Sequence, residues 1–245
     1  MVPFLYLVYA PTDLTLSAQT VVAHATSLGV AFVTSLIGTW RYARAQAIAW
    51  GAASWYAVPG ILSAFLTARI LTRVEGAHWI RAAFAIFILI SGADMARHAR
   101  THRAEPALRE RAPHSWLWLM GIGVIGGVMS ALLGIGGGLI AVPVLLYVGR
   151  LPINAVAPTA LAGVCLTTLS GGLGYVTAGA GPAVSQWMAG FIDLRMAMAL
   201  SVGAACTVPL GVRMNRRAQA PTLYRIFAAI FGVIGLSILW PFIGS

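Results

Sequence analysis

Apolar residues run through this chain in long unbroken stretches, and polar residues gather in the short segments between them. Residues 14–40 and 45–68 contain no Asp, Glu, Lys or Arg, and residues 79–96 carry only Arg81 and Asp94 near their ends. Residues 115–149 and 151–192 form two longer runs free of those four types, followed by residues 196–212 and 226–245. A helix that spans a bilayer takes about 20 apolar residues. Lipid admits only helices or closed barrels, because every backbone polar group must be satisfied within the fold. No run shows the two-residue alternation of a barrel strand. The pattern therefore predicts an all-α polytopic membrane protein.

Two runs are too long for one crossing. As a single helix, residues 115–149 would extend about 52 Å at about 1.5 Å per residue, against roughly 30 Å of hydrocarbon. The cluster Gly134-Ile135-Gly136-Gly137-Gly138 interrupts this run, and each glycine costs about 1 kcal/mol in a helix. The expected outcome is a helix over residues 115–133 and a shorter segment over residues 139–148 that turns back. The run of residues 151–192 is expected to split at residues 177–185, around Gly179, Gly181 and Pro182.

The two halves of the chain match each other in order. Val2-Pro3 matches Val142-Pro143, and Thr26-Ser27-Leu28 matches Thr159-Ala160-Leu161. Gly38 then matches Gly171 and Tyr42 matches Tyr175, followed by Gly60 with Gly203, Arg81 with Arg225, and Ile86-Phe87 with Ile230-Phe231. This predicts a first membrane repeat over residues 1–96, a basic linker over 97–114 and a second membrane repeat over 115–245. Duplicated membrane halves with broken helices are the plan of secondary transporters, whose sites lie near the bilayer midplane.

Composition narrows the classes. Of 245 residues, 59% are hydrophobic and 9% charged, with a formal net charge of +10. So little charge cannot cover a soluble surface, which excludes a soluble enzyme, a nucleic-acid reader and a disordered chain. The basic residues, all 16 of them arginine, flank the apolar runs and read as topology signals. If the segment around the glycine cluster returns to its own side, 12 of the 16 fall on one face, leaving Arg69, Arg73, Arg81 and Arg195 on the other. If it crosses once, the split is even. The biased count favours the hairpin, and each half then has three spans plus a hairpin, so the two repeats are inverted. Cys165 and Cys206 show no metal-type spacing. No redox-cofactor or nucleotide motif stands out, so no cofactor is expected, and coupling would be to an ion gradient or to the transported solute's own gradient.

The stretch from Ala131-Leu132-Leu133 through the glycine cluster to Ala141-Val142-Pro143 resembles the signature of the sulfite exporter TauE/SafE family of membrane permeases. Its second element, similar to Ala-x-x-Thr-Ser-Leu, corresponds to Ala25-Thr26-Ser27-Leu28 in one half and Pro158-Thr159-Ala160-Leu161 in the other. The resemblance covers essentially the whole chain. It implies a permease of the bacterial inner membrane for small sulfur-containing or organic anions such as sulfite, sulfonates or sulfoacetate. One departure stands out: the glycine cluster expected before Val2-Pro3 would lie ahead of Met1, so the first half starts without its initial hairpin arm. Either translation starts further upstream or this is a shortened member. A shortened member would fit a second reading, a non-transporting or accessory membrane subunit. A homo-oligomer in the bilayer is compatible with either.

The residues themselves agree with an anion site. Gly134, Gly136, Gly137 and Gly138 leave backbone N–H groups uncovered, and the segment after them points its positive dipole end at the break. Hydroxyls at Thr26, Ser27, Thr34, Ser35, Thr159, Thr167, Thr168 and Ser170 offer neutral donors. Most Ser and Thr in membrane helices bond their own backbone, so Thr26, Ser27 and Thr159 are the ones taken as pocket-lining, with Pro143 shaping the re-entrant segment. Three other patterns are set aside. Gly121-x-Gly123-x-x-Gly126 lies inside a membrane helix and reads as helix packing through Gly123 and Gly127. Asp94, His98 and His102 share ligand spacing but sit at a helix end facing the linker, so no metal site is assigned. His24 near Ser27 lacks the setting of a nucleophile and its base, and no catalytic residue is assigned. Single cysteines replacing Arg111 and Arg150 should react with impermeant thiol reagents from the same side of the membrane; reaction from opposite sides would remove the hairpin.

Overall fold

The computed structural model describes Leu5 and residues 16–72, 78–100, 116–134, 136–179 and 186–243. Eight helices lie among the described residues: α1 (Leu16–Arg44), α2 (Trp50–Leu71), α3 (His78–Arg100), α4 (Trp116–Leu133), α5 (Gly138–Tyr147), α6 (Ile153–Thr177), α7 (Leu194–Arg217) and α8 (Ala220–Ile243). A two-residue antiparallel pair, β1 (Met188–Ala189) with β2 (Ile192–Asp193), precedes α7. Four helices, α1, α2, α6 and α7, are long and apolar enough to cross a membrane. The split at the glycine cluster falls where the sequence places it, as does the end of α6 at Thr177. The short strand pair is an addition that apolar periodicity does not announce.

The helix ends follow ordinary end chemistry. Arg41 and Arg44 close α1, and Arg216 and Arg217 close α7, where cations offset the negative end of the helix dipole. Asp193 caps α7, its carboxylate accepting from the amides of Arg195 at 3.0 Å and Met196 at 3.3 Å. This buried Asp193 therefore has a defined job at the helix start.

Helix α6 is central, packing on α1, α2 and α5, while α3 pairs with α8 and α1 also carries α7. Helices α1 and α6 cross antiparallel through small residues. A side chain at Gly38 would collide with Leu161, and one at Gly171 would meet Leu28 at 3.4 Å. These are the residues matched between the halves, each small position of one helix receiving the leucine of the other. Two buried clusters repeat the theme. Tyr42, Ile48, Ala53 and Val212 pack together, as do Tyr175, Ile192, Ala197 and Ala68. The last three members of each set are related by the offset that aligns Arg81 with Arg225, and the tyrosines by the offset of Gly38 and Gly171. The match of Gly60 with Gly203 does not carry over: Gly203 points into open space, and the neighbouring Ala204 is the buried residue.

Helix α2 runs alongside α4 at close range because both present glycine. A side chain at Gly123 would strike the Tyr56 carbonyl, and one at Gly127 would strike Gly60 and Ser63. Ser63 Oγ adds a hydrogen bond to the Val124 carbonyl at 2.9 Å. The glycine spacing that formally matches a dinucleotide fingerprint is thus a packing surface.

Two hydrogen bonds join the halves in a reciprocal way. The Asp193 amide at the start of α7 donates to Thr26 Oγ1 of α1 at 3.1 Å. The Ala49 amide at the start of α2 donates to Thr159 Oγ1 of α6, also at 3.1 Å. Each half supplies the acceptor that satisfies the other half's helix start. Thr26→Val or Thr159→Val should each lower stability by about 1–2 kcal/mol, the cost of a buried amide left without an acceptor. The two lie at opposite ends of the α1–α6 pair, so thermal unfolding of the double variant should show nearly additive losses; an unchanged melting temperature in both singles would deny the bonds any role.

Candidate functional site: the break between α4 and α5

The break forms where α4 stops and α5 begins. Gly134, Gly136 and Gly137 adopt left-handed backbone, with φ of +64°, +83° and +69°, a conformation that costs L-residues roughly 1–2 kcal/mol each. Space excludes larger residues as well. A Cβ on Gly134 would lie 2.8 Å from His24 Cα, one on Gly136 2.8 Å from Thr168 Cγ2, and one on Gly137 2.7 Å from the Gly126 carbonyl. Gly136 sits between Ala31 of α1 and Val164 of α6, beside the crossing of those two helices. Gly138 opens α5 and packs against Val164, and Pro143 lies buried inside α5. Proline there leaves the Leu139 carbonyl without its usual helical donor.

Three carbonyls of this segment accept from side chains. Ser27 Oγ donates to the Gly134 carbonyl at 2.7 Å, Tyr56 OH to the Gly137 carbonyl at 3.3 Å, and Tyr175 OH to the Ala131 carbonyl at 3.0 Å. The Gly137 carbonyl also accepts from Ile140 and Ala141 at 3.1 Å as the first turn of α5 forms. The Gly134 amide is spent on the Ser130 carbonyl at 3.1 Å. Among the described residues, the amides of Gly136, Gly137 and Gly138 have no acceptor. The Ser130 hydroxyl, fully buried at the end of α4, likewise has no partner among them. Three amides and one hydroxyl, all able to donate, are thus left at one point. Gly137 is the N-cap of α5, so the helix dipole adds positive potential at the same point.

Of the residues singled out from sequence, the four glycines and Ser27 come together here. The hydroxyls of Thr26 and Thr159 are engaged instead at the starts of α7 and α2. Thr34, Ser35, Thr167 and Thr168 bond carbonyls of their own helices, while Ser170 reaches across to the Ile61 carbonyl of α2 at 2.6 Å. Sequence reasoning missed Tyr56, Tyr175 and Ser130 as members of the site. For Tyr175, the pairing with Tyr42 between the halves was a usable signal; Tyr56 and Ser130 carry none. Among the described residues no group of His, Cys, Asp or Glu could hold a metal ion, and His102 lies outside them.

Comparison with known proteins agrees with the polytopic helical architecture. The family model for the sulfite exporter TauE/SafE matches residues 1–238. A probable membrane transporter protein of Methanocaldococcus jannaschii is 24% identical over 214 residues, 87% of this chain and 77% of its own length. A probable membrane transporter protein of Bacillus subtilis is 22% identical over 261 aligned positions, covering 100% of this chain and 90% of its own. Another of Xylella fastidiosa is 27% identical over 199 residues, 78% of this chain and 69% of its own. No solved structure matches the chain. With the family model matched over nearly its full length, this membrane protein belongs to the sulfite exporter TauE/SafE family of transporters.

Proposed function

We propose that the chain is a secondary permease of the bacterial inner membrane for small sulfur-containing or organic anions such as sulfite, sulfonates or sulfoacetate. The observation that carries this reading is the donor surplus at the break. Three glycine amides and the Ser130 hydroxyl lack partners among the described residues, where the carbonyls of Gly134, Gly137 and Ala131 are held by Ser27, Tyr56 and Tyr175. Neutral donors at the positive end of α5 favour an anion in a low-dielectric interior. They also suit transport, because an anion held by amides leaves more easily than one paired with a buried guanidinium.

The proposed cycle is alternating access between two inverted halves. Support comes from the reciprocal contacts of α1 with α6 and of each threonine with the other half's helix start. The α4–α5 hairpin is read as re-entrant: α4 starts level with α2, and α5 leads straight into the turn before α6. In this reading the break lies beside the α1–α6 crossing, near the midplane, where rocking of one half against the other would expose it to either side.

Reconstituted into proteoliposomes, the protein should take up radiolabelled sulfite or sulfoacetate saturably. Gly137→Leu should cut the rate at least about tenfold, since the side chain would occupy the space filled by the Gly126 carbonyl and force off the left-handed backbone. Ser130→Ala, a milder change, should raise the half-saturating concentration about fivefold, the loss of one net hydrogen bond. Neither anion moving would overturn the function; normal uptake by both variants would overturn the site.

A further inference from the structure

A second polar cluster lies at the far end of α5 from the break. Asp94 and His98 stand one turn apart on α3, with His98 Nδ1 2.9 Å from the Asp94 carbonyl and 3.4 Å from its carboxylate Oδ2. Tyr147, the last residue of α5, donates its hydroxyl to the same Oδ2 at 2.5 Å. The His98 ring stacks on Tyr224 of α8 with centroids 5.8 Å apart and approaches Tyr147 at 6.3 Å. Three helices thus bring one carboxylate, one imidazole and two phenols together. The charged residues next to them in sequence, Arg97, Arg150 and Arg225, are exposed cations.

Two facts set this cluster apart. Asp94 and Asp193 are the acidic side chains among the described residues, and Asp193 is engaged as the cap of α7. The positions matched to the cluster in the other half also hold no polar residue, unlike the matched threonine and tyrosine pairs. At the offset that aligns Arg81 with Arg225, Asp94 corresponds to Ile238, His98 to Phe242 and Tyr224 to Ile80; at the offset of the Val-Pro pairs, Tyr147 corresponds to Leu7. All four counterparts are apolar. A group needed to hold both halves together would recur in both, as the threonines do, whereas a group that gives transport a driving force is needed once.

We propose that Asp94 and His98 form a proton-binding site coupled to the anion site through α5, an inference that rests on the permease reading above. Helix α5 spans about 15 Å at about 1.5 Å per residue. Its near end carries the free amides, and its far end is tied to α3 through Tyr147 and Asp94. The imidazole and the carboxylate can each hold a proton. A carboxylate accepts from Tyr147 strongly; once protonated, or drawn toward an imidazolium, it accepts weakly. Uptake of a proton therefore loosens the far end of α5, and release tightens it. The helix carries that change to the amides of Gly136, Gly137 and Gly138.

The test uses sulfoacetate, which has no group titrating near neutral pH, and two readings on the same proteoliposomes. Exchange of labelled for unlabelled sulfoacetate at equal pH reads the permease alone. Accumulation driven by a pH gradient, with proton movement followed by an entrapped pH dye, reads the coupling. With one proton per sulfoacetate dianion and the membrane potential clamped at zero, a one-unit gradient supports about tenfold accumulation in the wild type. In Asp94→Asn, accumulation should fall to equilibrium and the dye signal vanish while exchange stays within about twofold. Tyr147→Phe, which keeps the carboxylate but removes the tie, should exchange normally with accumulation reduced at least about threefold; if one variant fails to fold, the other decides. Wild-type exchange without proton movement overturns the proton site and leaves the permease standing, as does full coupling in either variant. Loss of exchange together with coupling in folded variants assigns the cluster to the scaffold and overturns the proposal. Absence of wild-type exchange overturns the permease, and the coupling with it.

Discussion

A backbone that leaves helical geometry inside a membrane must find partners for its freed N–H and C=O groups within the protein, since lipid supplies none. The break between α4 and α5 is where this chain meets that demand, and much of the surrounding architecture answers it. Tyr56 reaches from α2, Ser27 from α1 and Tyr175 from α6, each donating to a carbonyl of the segment. Glycines on the break and on α4 let those helices come close enough to do so. Three of the freed carbonyls find donors while the amides of Gly136, Gly137 and Gly138 have no acceptor among the described residues, the imbalance on which the proposed anion site rests.

The division between repeated and unrepeated features separates scaffold from specialisation. The α1–α6 crossing, the two tyrosine-centred clusters and the threonine bonds to opposite helix starts all come in pairs. Each of these contacts has an equivalent in the other half of the chain. The positions matched to Asp94, His98 and Tyr147 hold Ile238, Phe242 and Leu7, and the cluster touches α5, the helix that follows the break.

Much of the fold is legible in the sequence because membrane helices announce themselves by length and charge exclusion. The glycine cluster marks its break for a local reason, the helix cost of four glycines within five residues. The partners of the break are a different matter. Tyr56 matters because α2 and α4 pack in one register that places its ring under Gly126, Gly137 and Gly163, and no local pattern encodes that register. The same holds for Thr26 and Thr159, whose hydroxyls point to helix starts far away in the chain. Gly203 shows the limit of matching by eye: one residue along a helix turns the side chain about 100°, enough to exchange a buried Ala204 for an outward glycine. Asp193 is a readable signal of the opposite kind, since an Asp directly before an apolar run marks a helix start.

The reciprocal threonine bonds bear on how the protein is made. Synthesis proceeds from the N-terminus, so the start of α2 leaves the ribosome with the Ala49 amide unsatisfied, and its acceptor lies 110 residues further along. The start of α7 meets the opposite situation, because Thr26 was made 167 residues before Asp193. Until α6 is made, the start of α2 therefore lacks the acceptor it has in the finished fold. The two bonds can both close only when α1, α2, α6 and α7 are together.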